Sequence, residues 1–271
     1  MLCEILEVSK TCYYSWLNAP INKRQKQTEE LDNMIKRIFY EHKCRYGSTR
    51  ICEELKFRGI ACTRQRIAKR MTEMNLIPKA RRKFKVTTDS THNKPVAENL
   101  LKQDFTASKP NEKWLTDITY IPTKEGWLYL CVFIDLYSRS TVGWSMSDRL
   151  KSSLVENALI MALFRRKFPE QILIHSDRGV QYCSINYQNL LKKNNLTCSM
   201  SAKGCCYDNA AMESFFHTLK VELVHDENYE TREAAKSSIV NYIECYYNRK
   251  RRHSAINYMI PEEFEKVQLI A

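Results

Sequence analysis

A chain of 271 residues with a hydrophobic fraction of 44% is long enough for two domains or one large one and has an ordinary globular composition. Its longest apolar run, Trp127 to Ile134, is strand length and far short of the ~18 residues of a membrane span, and Met1 to Trp16 do not read as a secretory signal. The net charge of +12 is lopsided: residues 1–113 hold 24 Lys and Arg against 13 Asp and Glu, and the remainder 19 against 18. That asymmetry points to a nucleic-acid-binding half joined to a near-neutral half, although a lysine-rich solvated surface gives the same count.

The eleven cysteines include no Cys-x-x-Cys pair, which argues against a zinc finger. Their odd number argues against a disulfide framework, so most are expected to be reduced and buried in a cytosolic protein. Cys205-Cys206 is expected to be exposed and open to oxidation.

Residues 3–17 read as a short helical piece with Ser9 as a cap, ended by Pro20, and residues 1–20 as the end of an N-terminal helical module. Residues 21–28 are polar and read as linker. Leu31, Met34, Ile35, Ile38 and Phe39 repeat at helical spacing and open an all-helical domain over 29–78. A second helix begins at Gly47-Ser48 and closes at Gly59. Thr63 is a suitable N-cap for a third, whose outer face carries Arg64, Arg66, Lys69 and Arg70. Two short helices, a tight joint and a basic helix suggest a helix-turn-helix. A plain three-helix bundle with a solvated basic face fits the same pattern. Residues 79–113 are basic, then rich in Thr, Ser, Asn and Pro, and read as an interdomain linker.

From Trp114 the pattern becomes α/β. Strands are expected over 114–121, 127–135, 139–147, 171–176 and 197–200, with 139–147 antiparallel to 127–135. The unbroken apolar run at 127–135 implies burial on both faces. Helices are expected at 151–167, 184–194, 209–224 and 231–249, the last followed by the basic run Arg249 to Arg252. The catalytic core is set at 114–228, and 229–271 as a C-terminal helix and basic tail continuing it.

Three carboxylates stand out. Asp117 lies mid-strand, where aspartate is unusual, and shares its face with Leu115, Thr119 and Ile121. Asp177 ends an apolar strand, the sheet edge where reactive groups gather. Glu213 follows after thirty-five residues, on a helix whose apolar stripe is Met212, Phe215, Phe216, Leu219 and Leu223, with His217 and Lys220 on the same edge. Hard oxygen donors without Cys fit Mg²⁺ or Mn²⁺, and two such ions serve phosphodiester chemistry. Each acid also has a plainer reading: Asp177 as a chain-turning residue and Glu213 as a first-turn acid favoured by the helix dipole. Asp135 reads as a strand-end residue near the site, Asp208 with Asn209 as a helix cap, and His175 and His217 as satisfied surface residues or DNA contacts.

These residues resemble a known family. Trp114-x-x-Asp117-Ile-Thr, Phe133-Ile-Asp-Leu-Tyr-Ser-Arg139, His175-Ser-Asp-Arg-Gly-x-Gln-Tyr182, Ser199-Met-Ser-x-Lys-Gly204, Asp208-Asn-Ala-x-x-Glu213-Ser-Phe-Phe with Lys220 seven residues on, Tyr247-Asn-x-x-Arg-x-His253 and Pro261-x-x-Phe264 resemble the OrfB transposases of two-frame bacterial insertion sequences, in the DDE transposase and retroviral integrase superfamily. The resemblance covers nearly the whole chain. It implies an α/β fold: a ribonuclease-H-like mixed sheet preceded by the all-α helix-turn-helix-like segment.

It implies that Asp117, Asp177 and Glu213 form a catalytic, metal-binding triad with Mg²⁺ or Mn²⁺, two ions in all. Lys220, Arg64, Arg66, Lys69, Arg70, Arg178 and Lys203 are the expected DNA contacts. The implied reaction is cleavage at the element's ends, followed by attack of the freed 3′-hydroxyl on another phosphodiester. The implied partners are element-end and target DNA, an upstream-frame (OrfA) protein or the frameshift fusion with it, and further copies of the chain on DNA. The expected location is cytoplasmic, nucleoid-associated when bound, with no membrane. Alternatives are a catalytically inactive DNA-binding regulator and a hydrolase of RNA–DNA hybrids. Two departures stand out: Cys205 where the family carries Asn, and Asn257-Tyr258 where a Gly commonly follows the His-Ser tail.

Overall fold

The computed structural model describes residues 5, 8–18, 23–79, 97–202 and 206–268. The chain divides into two compact units, Met1–Lys79 and Ala80–Ala271.

The first unit is all helical. Helix α1 spans Lys10–Leu17, and Ser9 caps it by accepting from the Cys12 amide. Helix α2 spans Lys23–Glu41, so residues 23–28, expected as linker, form its first turns. Lys, Arg and Gln are good helix formers, and this polar stretch continues the helix without needing an apolar stripe. Helix α3 spans Ser48–Phe57 and is closed by Gly59, whose φ of +79° suits glycine at a helix end. Helix α4 spans Arg64–Glu73 and starts at Thr63, which accepts from the Arg66 amide. The three longer helices meet on Ile35, Ile38, Ile51, Leu55 and Ile67, all fully buried. Arg70 of α4 ties to α2 through Asp32, with Nε to Oδ1 at 2.7 Å.

The second unit is a five-stranded mixed sheet. Its strands are β1 (Lys113–Thr123), β2 (Gly126–Asp135), β3 (Thr141–Ser147), β4 (Leu173–Ser176) and β5 (Thr197–Met200), in the order β3-β2-β1-β4-β5. The first three run antiparallel as a meander, and β4 and β5 lie parallel to β1. This is the ribonuclease-H-like arrangement that the sequence led us to expect. Helices α5 (Ser152–Arg165) and α6 (Ile185–Lys193) cover one face. Helix α7 (Ala210–Glu222) and helix α8 (Arg232–Val240) cover the other. β2 is buried on both faces, which explains its unbroken apolar run. Gly143 lets β3 approach α5: a Cβ there would stand 2.4 Å from the Ala158 carbonyl.

Three expectations are corrected here. Residues 97–112 pack onto the core instead of linking domains. Leu101 is buried, Phe105 and Ala107 pack beside it, and the Leu100 and Leu101 amides donate to Ser199 Oγ. Their few apolar residues lack a period, so sequence pattern alone misses them. The 231–249 helix is interrupted: after α8 the chain widens into a π segment, Asn241–Tyr247. Tyr242, Ile243, Tyr246 and Tyr247 of this segment are all buried. The basic run, expected as part of a tail continuing the core, is built into the core at Arg251 and Arg252, which are buried, while Arg249 and Lys250 stay exposed. Helix α9 (Pro261–Gln268) closes the unit. Of the described cysteines only Cys52, Cys131 and Cys183 are buried, and none is in a disulfide.

Candidate active site

The register of the sheet brings two carboxylates side by side. β1 and β4 pair in parallel from Lys113↔Leu173 to Leu115↔His175. Two residues further along the same register lie Asp117 and Asp177, where β4 has ended and β1 runs on. Asp117 keeps part of its surface in solvent. Its carboxyl accepts from the Ile118 amide at 2.7 Å. Asp177 accepts from the Gly179 amide at 2.8 Å. A Cβ on Gly179 would stand 3.0 Å from Asp177 Oδ1, so the glycine keeps room around that carboxylate.

Glu213 stands on the first turn of α7 and is exposed. Helix α7 docks on the sheet through Met212, Phe215, Phe216 and Leu219, which turns Glu213 and Lys220 along its edge. The electrostatics show the grouping. The Asp117 carboxyl is pushed well above its ordinary pKa, by burial first, then by Asp177; Glu213 adds to this and Lys220 opposes it. Burial raises Glu213 as well. Lys220 is lowered by burial, with Asp117 acting against that. Among the described residues, no group of three His, Cys, Asp or Glu is gathered at single-ion spacing. The three acids therefore share a field rather than one tight shell.

The integrase core domain family matches residues 107–206, a second integrase core domain model matches 213–269, and the HTH-like domain family matches 25–84. The transposase InsF of insertion sequence IS3A from Escherichia coli strain K12 is 48% identical over 270 residues, which is 99% of this chain and 94% of that protein. The chain belongs to the IS3-family OrfB transposases. A 31 kDa protein of insertion element IS600 from Shigella sonnei is 41% identical over 265 residues, covering 98% of this chain and 97% of that one. The catalytic core of HTLV-2 integrase, solved in complex with magnesium, aligns over 58% of this chain and 97% of its own at 16% identity, with a TM-score of 0.45.

The protein is thus a DNA-binding transposase of the polynucleotidyl transferase class, and no observation favours an inactive regulator. No helix among its described residues is long and apolar enough to cross a membrane.

The remaining residues singled out in the sequence fall into different settings. Arg64, Arg66 and Lys69 project from α4 into solvent. Arg66 and Lys69 border a groove of about 930 Å³ between α4 and the first turns of α2, where Lys23, Arg24 and Gln27 also contribute. Arg70 lines the same groove, but its guanidinium is engaged by Asp32 and Glu73. Arg178 donates Nε to the Ser201 carbonyl at 2.7 Å, which ties the Asp177 loop to the chain after β5. Lys203 and Cys205 lie outside the described residues.

Asp208 does not cap α7. Its buried carboxylate accepts from Asn99 Nδ2, Gln103 Nε2 and the Ala202 amide at 2.9, 3.1 and 2.7 Å, and Asn209 makes no side-chain cap bond. Asp208 gathers Asn99, Gln103 and the loop before α7 instead, and Asn209 donates Nδ2 to the Thr116 carbonyl at 3.4 Å. His175 is buried between Ser199 Oγ at 2.8 Å and Ser201 Oγ at 3.2 Å. Burial lowers its pKa to about 4 against a small opposing pull from Asp208, so it is a neutral core residue, neither a surface group nor a DNA contact. His217 is half-buried on α7.

Asp135 is fully buried at the end of β2. It accepts from the Asn111 and Tyr137 amides at 2.8 and 3.0 Å and lies 4.0 Å from Arg166, itself bound to Glu265. It belongs to a separate structural cluster.

Sequence reasoning missed the anchor of α7. Glu222, at the helix's far end, is buried and held by Arg251 Nε and by its terminal nitrogen at 2.8–3.0 Å. Tyr242 Oη adds a bond at 2.9 Å. The signal was the Arg in Tyr247-Asn-x-x-Arg, which read as part of a basic run.

Proposed function

We propose that Asp117, Asp177 and Glu213 are the transposase's catalytic triad and that they hold two divalent ions, Mg²⁺ or Mn²⁺. The observation that carries this reading is the parallel register of β1 and β4, paired as far as Leu115↔His175, which extended by two residues sets Asp117 level with Asp177. Repulsion at Asp117 supports it: the charges of Asp177 and Glu213 raise that carboxyl further than burial alone, and cations relieve such a field. All the donors are hard oxygens, which suits these ions. When bound, such ions activate an attacking oxygen and stabilise the leaving one.

The chain's own residues do the rest. Asp117 and Asp177, fixed by the sheet, set the position of the reacting phosphodiester. Glu213 completes the donor set from α7. Lys220, one edge further along that helix, binds a neighbouring DNA phosphate. Arg64, Arg66 and Lys69 contact the DNA backbone with Lys23 and Arg24 beside them, while the engaged Arg70 contributes less than the sequence suggests. Cleavage at an element end frees a 3′-hydroxyl, which then attacks a second phosphodiester. The active assembly is a multimer on DNA, acting with or fused to the upstream-frame protein.

The test is a labelled element-end duplex incubated with the transframe fusion in Mg²⁺ or Mn²⁺. Nicking and a strand-joined product are expected from the wild type, and neither from Glu213→Gln, which still binds the DNA. Equal products from both proteins would refute the triad.

A further inference from the structure

Across the sheet from Asp117, on the same strand, lies an aromatic surface that the chemistry above does not use. β1 runs past the end of β4, so its far half is free on the side where Asp177 stands. On one face of that stretch, Tyr120 sits directly across from Tyr129 of β2, and Pro122 across from Trp127. Further back along the sheet this face is covered by α5 and α6. Here the cover stops: Tyr120 is 40% exposed and Trp127 53%. The rings contact edge-on, Tyr120 to Tyr129 at 5.2 Å and Tyr120 to Trp127 at 6.3 Å between centroids.

Three features separate this surface from an ordinary hairpin cluster. First, it shares β1 with the first carboxylate: Tyr120 stands three residues beyond Asp117, on the opposite face of the sheet, along the stretch of β1 that β4 leaves unpaired. Second, it is held rigid. The hairpin tip is fastened from outside by the Arg232 amide to Glu125 at 2.7 Å, Arg232 Nε to the Trp127 carbonyl at 3.1 Å, and the Lys124 amide to the Tyr229 carbonyl at 3.0 Å. A platform fixed in advance loses little freedom on binding. Third, it has a basic rim. Ser147 of β3 lies across from Tyr129, and the turn that follows carries exposed Arg149, 3.9 Å from Asp148, and Lys151. Gln181 bonds that turn at the Leu150 carbonyl at 3.5 Å, joining it to the loop of Asp177. Aromatic faces beside cations are the combination that binds single-stranded nucleic acid.

We propose that Tyr120, Tyr129 and Trp127 form a stacking platform for unpaired nucleobases of the DNA strand that enters the carboxylate site. The position of this strand rests on the triad reading; the platform itself does not. Its occupant is unpaired DNA because exposed ring faces stack on bases, which in a duplex are already stacked on each other. Arg149 and Lys151 take the phosphates of the same strand.

The full chain, in metal-free buffer, is titrated with labelled oligothymidylate and separately with a blunt duplex. The double variant Tyr120→Ala/Trp127→Ala should bind oligothymidylate about 10- to 100-fold more weakly, as expected for loss of base stacking. Its duplex affinity should stay within about twofold. Tyr120→Phe/Trp127→Phe should restore single-strand binding, because phenyl faces still stack. Unchanged oligothymidylate affinity in the alanine variant would overturn the platform. So would equal losses on both probes, or failure of the phenylalanine variant to restore binding. Because no metal is present, failure of the triad would show separately, as retained cleavage in Glu213→Gln, and would leave the stacking result standing.

Discussion

Helix α7 carries two carboxylates in opposite conditions. Glu222, at its end, is buried but matched: Arg251 and Tyr242 satisfy it. Glu213, at its start, is exposed, and its charge adds to that of Asp177 in raising the Asp117 carboxyl, which burial raises most. A structural acid comes with its cation built into the chain. The acids proposed for catalysis are left in a field that an external cation would relieve. Removing charge at one end should therefore cost function, and at the other end stability.

The largest effect is expected at the open end. Asp177→Asn should lower strand cleavage in Mg²⁺ by orders of magnitude without lowering thermal stability, as read from single-turnover cleavage beside a melting curve. A variant that cleaves normally would erase the contrast between the two ends.

At the matched end, Arg251→Met leaves Glu222 buried without its cation. The expected loss is about 3–5 kcal/mol, measured by denaturant unfolding. The double variant Glu222→Met/Arg251→Met should recover most of it, since an apolar pair of similar volume replaces the ions. Recovery marks the pair as an anchor; failure would show that the charges serve more than packing.

His175 sharpens the comparison from a third direction. It is held neutral, with its pKa lowered to about 4 from an ordinary value of about 6.5. A depressed folded-state pKa gives stability that is complete above the unfolded value. That stability is lost as pH falls from about 6.5 toward 4. The wild type should lose about 3 kcal/mol across this window through His175, and His175→Gln should flatten that part of its stability–pH profile. An unchanged profile would mean that the histidine protonates freely in the fold.

The smallest effect concerns backbone alone. Asn257 and Tyr258 both have left-handed backbone, with φ of 53° and 58°. Asn tolerates this region and tyrosine does not. Tyr258→Gly should stabilise the protein by up to ~1 kcal/mol without altering cleavage, as read by melting temperature. A loss would show that the tyrosine side chain outweighs its strain.

Much of this was legible in sequence because the signals were local. The β2 run, the Thr63 cap and the Gly59 stop each lie within a few residues. Asp117 could be singled out because an acid in mid-strand contradicts its surroundings. The departure at Asn257-Tyr258 was visible too, and the left-handed backbone explains why glycine suits that place. What stayed hidden depends on partners far along the chain. Glu222 meets Arg251 from 29 residues away and Asp208 meets Asn99 from 109. No window of pattern links such residues. Arg251 therefore read as part of a basic tail and Asp208 as a cap. The π segment was missed for another reason: its inward pairs 242–243 and 246–247 fit an α-helical stripe nearly as well.

The central claim is that Asp117, Asp177 and Glu213 repel one another until a divalent cation joins them. Thermal unfolding of the wild type and Asp117→Asn, each in EDTA and in Mn²⁺, tests this directly. The account predicts that Asp117→Asn melts higher than the wild type in EDTA, because repulsion is relieved. It also predicts that Mn²⁺ raises the wild type by several degrees and leaves the variant nearly unmoved. A wild type that melts higher in EDTA, with the same Mn²⁺ response in both proteins, would contradict it.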